Sequence, residues 1–187
     1  MNDLRERFER AQRHFGELVH DVKPDQWSDP TPCTQWDVRA LVNHLVYEAR
    51  WLPSIMAGKT IAEVGDAFEG DLLGDNPESA YDAALREASA SVAEVDLDRI
   101  VHLSFGDLPA SEYLTQVTSD FVVHGWDLAR GIGANDTMDP DLVAFVQAAA
   151  EPQADMLVAS GLFGTPVDVP ADADPQTKLL ALFGRRA

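Results

Sequence analysis

Apolar residues recur every third or fourth position in long stretches of the chain, and this periodicity limits the fold more than any other feature of the sequence. The first stretch, residues 2–22, places its apolar side chains on one helix face: Leu4, Phe8, Ala11, Phe15, Leu18 and Val22. Strand-like alternation is weak and confined to residues 99–108, where Gly106 favours a loop or a short extended piece. We therefore predict an all-α fold.

Capping and breaking residues divide this pattern into separate helices. The predicted helices are residues 2–22, 34–56, 76–95 and 110–130, with a fifth that begins at Asp139-Pro140 and is kinked or broken near Pro152. Thr34 is the predicted N-cap of the second helix, with Asp37 in its first turn, and Asn76-Pro77 opens the third. Gly131 and Gly133 are predicted to stop the fourth helix. The glycine-rich, acidic residues 58–75 are predicted to be irregular.

The chain is long enough for one domain with a sizeable core. No linker or repeat interrupts it, so we predict a single domain over 1–187. Its C-terminal tail, residues 161–187, is predicted to pack on the helices and to end in a short apolar turn at 179–183. The N-terminus lacks the apolar stretch of a signal peptide, and no apolar run is long enough to span a membrane.

Charge and cysteine content exclude several classes of function. Acidic residues outnumber basic ones 32 to 14, for a formal net charge of −18. Such a field repels nucleic acid and anionic membranes, so neither is an expected partner. A single cysteine, Cys33, excludes an internal disulfide. A cytoplasmic location is therefore expected.

The fourth helix carries the most informative polar pair. Asp120 and His124 are four residues apart, so they lie on one helix face, about 6 Å apart along the axis. On a helical wheel His124 falls about 40° from Asp120, beside an apolar arc that contains Phe121 and Leu128. A carboxylate and an imidazole at the edge of a core need partners, because burying them unpaired costs several kcal/mol.

The second helix offers a partner in His44, which lies on an apolar arc with Leu41 and Leu45. If the two helices pack side by side, His44, Asp120 and His124 meet at one interior point. Two imidazoles and a carboxylate suit several first-row divalent ions, and three protein ligands leave a position open for water or substrate. The spacing is also common by chance, so a metal-free core of hydrogen-bonded polar side chains remains an alternative.

Three segments of the sequence resemble a known family: residues 30–45 (PTPCTQWDVRALVNHL), residues 124–129 (HGWDLA) and the tail from Phe163-Gly164 to Arg185. They are similar to bacterial DinB-like proteins, and among these to proteins related to mycothiol-dependent maleylpyruvate isomerase. The resemblance implies a DinB-like four-helix bundle with an additional C-terminal helix and a short tail. It also implies one divalent metal ion held by His44, Asp120 and His124.

The sequence departs from the isomerase pattern in two ways. The isomerase has a glutamate at the carboxylate position, whereas Asp120 is one methylene shorter and must approach a metal more closely or bind it through water. The isomerase also has a further C-terminal domain that supplies part of its active site, and we expect that a chain ending at Ala187 has no room for it.

The resemblance suggests an enzyme that uses a metal and a small thiol, mycothiol, to act on a small electrophile as a transferase or isomerase. Zinc is the first candidate for the metal, with nickel or another first-row ion as alternatives. The other hypothesis is a non-catalytic metal-binding bundle that acts as a sensor, a store or an interaction module. A homodimer is compatible with either.

Several residues near the motifs have two interpretations. Glu48, one turn from His44, is interpreted as a carboxylate at the rim of the bundle rather than a fourth ligand or an acceptor that orients an imidazole. Asp127 either orients a ligand or pairs with Arg130. Cys33 is interpreted as a buried, inert thiol rather than a reactive one near the site.

The remaining polar residues and tryptophans are interpreted as structural. Trp36 and Trp126 are expected to be packing anchors, and Arg39 to form a solvated salt bridge rather than hold a substrate. The acidic residues 63–75 are expected to form a solvated loop rather than a mobile flap. His14, His20 and His102 lack partners at useful spacing and are expected to be ordinary surface or loop residues.

Overall fold

The computed structural model describes residues 2–154, 156, 158 and 164–187, and helices dominate it, as predicted. The chain divides into two compact units, Met1–Ala134 and Asn135–Ala187. The N-terminal unit contains α1 (Asn2–Asp21), α2 (Val38–Met56), α3 (Ile61–Val64), α4 (Pro77–Ala93), β1 (Ile100–Leu103), β2 (Gly106–Pro109) and α5 (Ala110–Ile132). The C-terminal unit contains α6 (Pro140–Ala150), a 3-10 turn (Glu151–Gln153) and α7 (Pro175–Leu182).

Four long helices of the N-terminal unit form a bundle. Helices α1 and α2 each pack against both α4 and α5. Phe121 of α5 meets Phe8 and Phe15 of α1 edge to face, at ring-centroid distances of 6.1 and 5.8 Å. The apolar stripes that the sequence predicted are the buried faces, and the DinB-like helical fold is confirmed. The exception to helix is the antiparallel hairpin of β1 and β2 within residues 99–108, one of the two outcomes expected there.

Helix α2 begins later than predicted. Its N-cap is Asp37, whose carboxylate accepts a hydrogen bond of 2.8 Å from the backbone N–H of Ala40. The prediction that Thr34 caps the helix is therefore wrong. Residues before Asp37 form a loop of their own, in which the Thr31 hydroxyl donates to the Trp36 carbonyl and the Trp36 N–H donates to the Cys33 carbonyl. This loop brings Cys33 and Trp36 to the start of α2.

Helix α5 is longer than predicted. It passes through Gly131 and ends only at Ile132, where Gly133 adopts a left-handed conformation with φ of 70°. A Cβ at Gly131 would lie 3.2 Å from Thr31 Cγ2, so this glycine permits close packing of the helix on the preceding loop. The predicted stop at Gly131 is therefore wrong, and the stop at Gly133 is confirmed.

The segment between α2 and α4 is not wholly irregular. One turn, α3, has a reciprocal capping box between Thr60 and Glu63. The Asn76 cap and Pro77 at the first position of α4 are confirmed, and α4 ends two residues before the predicted Val95. Arg39 of α2 pairs with Asp71 at 2.8 Å, so the expected salt bridge fastens the acidic segment to the helix.

The C-terminal unit is short and helical. Asp139 caps α6 as predicted, and the predicted break at Pro152 is a 3-10 turn. The apolar residues 179–183 are the end of α7, which begins at Pro175, and not a separate turn. Residues 161–163, the start of the predicted tail, lie outside the described residues. Within the described residues, none of the helices combines the length and apolar character needed to cross a bilayer.

Candidate metal centre

Three polar side chains predicted to meet do lie together where α2 packs on α5. His44 projects from α2, and Asp120 and His124 project from successive turns of α5. Each offers one donor atom, and the three atoms all lie within 4.8 Å of one another. His44 Nε2 is 3.6 Å from Asp120 Oδ2, and the two imidazole rings are nearly perpendicular with centroids 5.3 Å apart. These distances suit a shared ion after small rotations of the side chains.

The cluster runs from the bundle interior towards its surface. His124 is buried, whereas the side chains of His44 and Asp120 keep 22% and 27% of their exposure. A small ligand can thus approach from the His44 and Asp120 side, while His124 is fixed by its packing.

Asp127 fixes the orientation of the His124 ring. Its carboxylate, fully buried, lies 2.9 Å from His124 Nδ1. This contact holds the ring with Nδ1 towards Asp127 and Nε2 away from it, and an ionised carboxylate there favours the tautomer that carries its proton on Nδ1. Asp127 thus has the orienting contact that was one of its two interpretations. The Arg130 guanidinium lies over the Trp126 ring, 5.4 Å from its centroid.

Trp36 packs on both imidazoles. Its ring centroid is 4.5 Å from that of His44 and 5.4 Å from that of His124. The residue is a packing anchor as predicted, but what it anchors is the cluster itself. Sequence reasoning missed this role, although Trp36 and His44 belong to the same motif and flank the helix start.

Glu48 lies half-buried one turn beyond His44. Burial raises the pKa of its carboxyl to about 7, and the negative charge of Asp120 adds to this rise while His44 opposes it. Burial lowers the pKa of His44, but the hydrogen bond and charge of Asp120 outweigh it, with help from the charge of Glu48, so the net shift is upward. Among the described residues Glu48 does not join the group of close donors.

Tyr113 of α5 is a buried neighbour that sequence reasoning missed. Burial, then the charges of Glu48 and Asp120, raise the pKa of its hydroxyl. It lies seven residues before Asp120, about two helical turns, and this spacing in the sequence could have predicted that the two side chains share a helix face.

Cys33 is half-buried rather than buried, which corrects its first interpretation. Its sulfur, one His124 nitrogen and one Asp127 oxygen also lie within 4.8 Å of one another. His124 is therefore common to two groups of potential ligands.

The other histidines lie on the surface, as predicted, but they have partners. His20 of α1 reaches Glu78 and Asp82 of α4 at 3.3 and 3.1 Å. His102 lies 2.8 Å from Asp107, directly opposite it in the hairpin. The prediction that these histidines lack partners at useful spacing is wrong: His14 lies 3.8 Å from Glu17 on the same helix, the hairpin supplies the partner of His102, and only His20 depends on residues distant in the sequence.

The helical bundle of the N-terminal unit places the chain in the DinB-like class of folds. A family model described as the mycothiol maleylpyruvate isomerase N-terminal domain matches residues 8–129. The chain belongs to this family, as the resemblance of its motifs predicted.

Two further sets of proteins are similar to this chain. Uncharacterized proteins from two strains of Mycobacterium tuberculosis are 27% identical over 186 residues, covering 95% of this chain and 94% of theirs. Crystal structures of the mycothiol-dependent maleylpyruvate isomerase and of its histidine-to-alanine mutant have TM-scores of 0.66 and 0.69 at 16% identity. In each case the matched region covers 89% of this chain and 74% of the isomerase chain.

Proposed function

We propose that this chain binds one divalent metal ion through His44, Asp120 and His124. The proposed activity is that of a thiol-dependent transferase or isomerase acting on a small electrophile. The observation that carries the proposal is the spacing of the three donor atoms, all within 4.8 Å of one another. Two neutral imidazoles and one carboxylate leave a divalent site at about +1, and zinc is the first candidate for it.

The shorter carboxylate fits the donor set. Asp120 lacks one methylene relative to the glutamate expected from the resemblance, yet one of its oxygens lies 3.6 Å from His44 Nε2. The helix therefore brings Asp120 close enough to coordinate the same ion as the histidines. This supports direct ligation rather than ligation through a bridging water.

The neighbouring residues would hold the donors in place. Asp127 keeps the His124 proton on Nδ1, which leaves Nε2 free to donate its lone pair. Trp36 restricts both rings by packing on them. When bound, a divalent ion with an open position lowers the pKa of a thiol or water, which makes a nucleophile available at neutral pH.

The thiol is proposed from the family. The family model and the structurally similar isomerase are both named for mycothiol, so mycothiol is the first thiol to test. The half-exposed side chains of His44 and Asp120 face the side from which it would approach. The substrate is proposed only as a small electrophile that a thiolate can attack.

A thermal shift measured with metal and thiol tests the proposal. Zinc at about 100 times its dissociation constant should add about 2.7 kcal/mol to the free energy of unfolding. Mycothiol should add a further shift only when metal is present. The metal-induced shift should disappear in His124→Ala, and it should disappear in the double variant Cys33→Ser/His44→Ala, in which Cys33 can no longer hold zinc beside His124.

His102→Ala is the matched control, because it removes a histidine at the surface hairpin and should keep the full shift. Absence of any metal-induced shift in the unmodified chain would refute the proposal. A metal-induced shift that mycothiol does not increase would leave metal binding intact and remove the thiol from the proposal.

A further inference from the structure

We infer a second cation site, formed by Cys33, His124 and Asp127 and suited to a soft divalent ion. This site is distinct from the proposed centre, since the two groups share only His124. It requires neither His44 nor Asp120, so it stands even if the proposed function fails.

The geometry of this Cys33 site is set by two elements. His124 and Asp127 are three residues apart on α5, with 2.9 Å between Nδ1 and the carboxylate oxygen. The loop before α2 brings the Cys33 sulfur to within 4.8 Å of one ring nitrogen of His124 and one carboxylate oxygen of Asp127. The His124 and Asp127 side chains are both more than nine-tenths buried, so the site is formed by ordered residues of the bundle.

The donor chemistry differs from that of the first centre. A thiolate, a neutral imidazole and a carboxylate together carry a charge of −2, which neutralises a divalent cation completely. Thiolate selects soft or borderline ions such as Cd²⁺ and Zn²⁺ over hard ions such as Mg²⁺. A buried neutral cluster of this kind avoids the cost of a net charge in the interior.

His124 links the two centres, because it belongs to both groups of donors. An ion at the Cys33 site displaces the thiol proton to solvent and bonds to sulfur. An ion in one centre takes up a residue that the other also needs; this overlap rests on the proposed function, although the Cys33 site itself does not.

Titration of the reduced full-length chain with Cd²⁺ tests the site, because cadmium bonded to thiolate absorbs in the ultraviolet. Cys33 is the only cysteine, so any such absorption reports it alone. In His44→Ala, which removes a ligand of the first centre, the absorption should appear and saturate at one ion per chain. In Cys33→Ser it should be absent.

A second variant separates a formed site from a lone thiol. Asp127→Asn keeps the shape of the side chain but removes its charge, and should raise the Cd²⁺ dissociation constant at least about tenfold. Asp98→Asn, which changes an exposed carboxylate, should leave that constant unchanged.

Two results would overturn the inference: no thiolate absorption in a folded His44→Ala chain, or an affinity that Asp127→Asn leaves unaltered. The first centre is measured separately by the zinc-induced thermal shift of Cys33→Ser. Failure of one site is thus distinguishable from failure of the other.

Discussion

At the scale of single residues, the candidate centre depends on how far each side chain reaches. Asp120 and His124 are fixed relative to each other by one turn of α5, while His44 comes from another helix. The shorter aspartate reaches His44 because α2 and α5 are in direct contact. The charge at position 120 should therefore matter more than the length of the side chain.

Exchanges at Asp120 test this. Asp120→Glu restores the carboxylate expected from the isomerase resemblance, and its 27% exposure leaves room for another methylene. Zinc affinity measured by calorimetry should stay within about tenfold in Asp120→Glu and fall more than about tenfold in Asp120→Asn. Equal losses in the two variants would show that side-chain length, not charge, governs binding.

At the scale of elements, the N-terminus of α2 positions both the loop of residues 30–37 and the metal centre. Asp37 accepts from the N–H of Ala40, and its own backbone is paired with Pro30 across the loop. The cap therefore stabilises α2 and at the same time holds the loop that carries Trp36. Thr34, which sequence reasoning chose as the cap, is exposed.

A pair of alanine substitutions distinguishes the two caps. Asp37→Ala should lower the free energy of unfolding by about 1 kcal/mol, within the 0.5–2 kcal/mol usual for lost N-caps. Thr34→Ala should change it by less than about 0.5 kcal/mol. Urea denaturation followed by circular dichroism measures both. A larger loss in Thr34→Ala than in Asp37→Ala would contradict the structure of the loop.

Local patterns were enough to predict most helices and the three clustered donors. Apolar periodicity identified the buried faces, and the i, i+4 spacing placed Asp120 and His124 on one face. What the patterns could not provide was contact between elements. Trp36 over the histidines and Cys33 beside Asp127 depend on the path of a loop that has no periodicity.

At the scale of the whole molecule, a net charge of −18 sets the background for every ion pair. Excess negative charge opposes compaction, so surface histidines that gain acidic neighbours relieve some repulsion when protonated. His20 is such a residue, since it bridges α1 to Glu78 and Asp82 of α4.

The contribution of His20 should depend on pH. The hydrogen bond that its ring donates to Asp82 raises its pKa; burial opposes the rise, and the charges of Asp82 and Glu78 add to it. Because the folded pKa lies above the unfolded value, the stabilisation is complete below about pH 6.5 and is lost as pH rises through the folded pKa. The side chains are exposed, so we expect less than about 1 kcal/mol.

Urea denaturation of the unmodified chain and of His20→Gln at several pH values measures this effect. The difference in unfolding free energy should be largest below about pH 6.5 and should decrease as pH rises through the folded pKa of His20. A difference that grew as pH rises would reverse the sign and contradict the proposed pairing.

The packing of Trp36 on both imidazoles has one more consequence. The centroid of the indole lies within 5.4 Å of those of both histidine rings, so the indole experiences the electric field of any charge on them. The fluorescence of Trp36 should therefore change whenever the charge or position of those rings changes. The protein thus carries its own optical indicator of what occupies the space between α2 and α5.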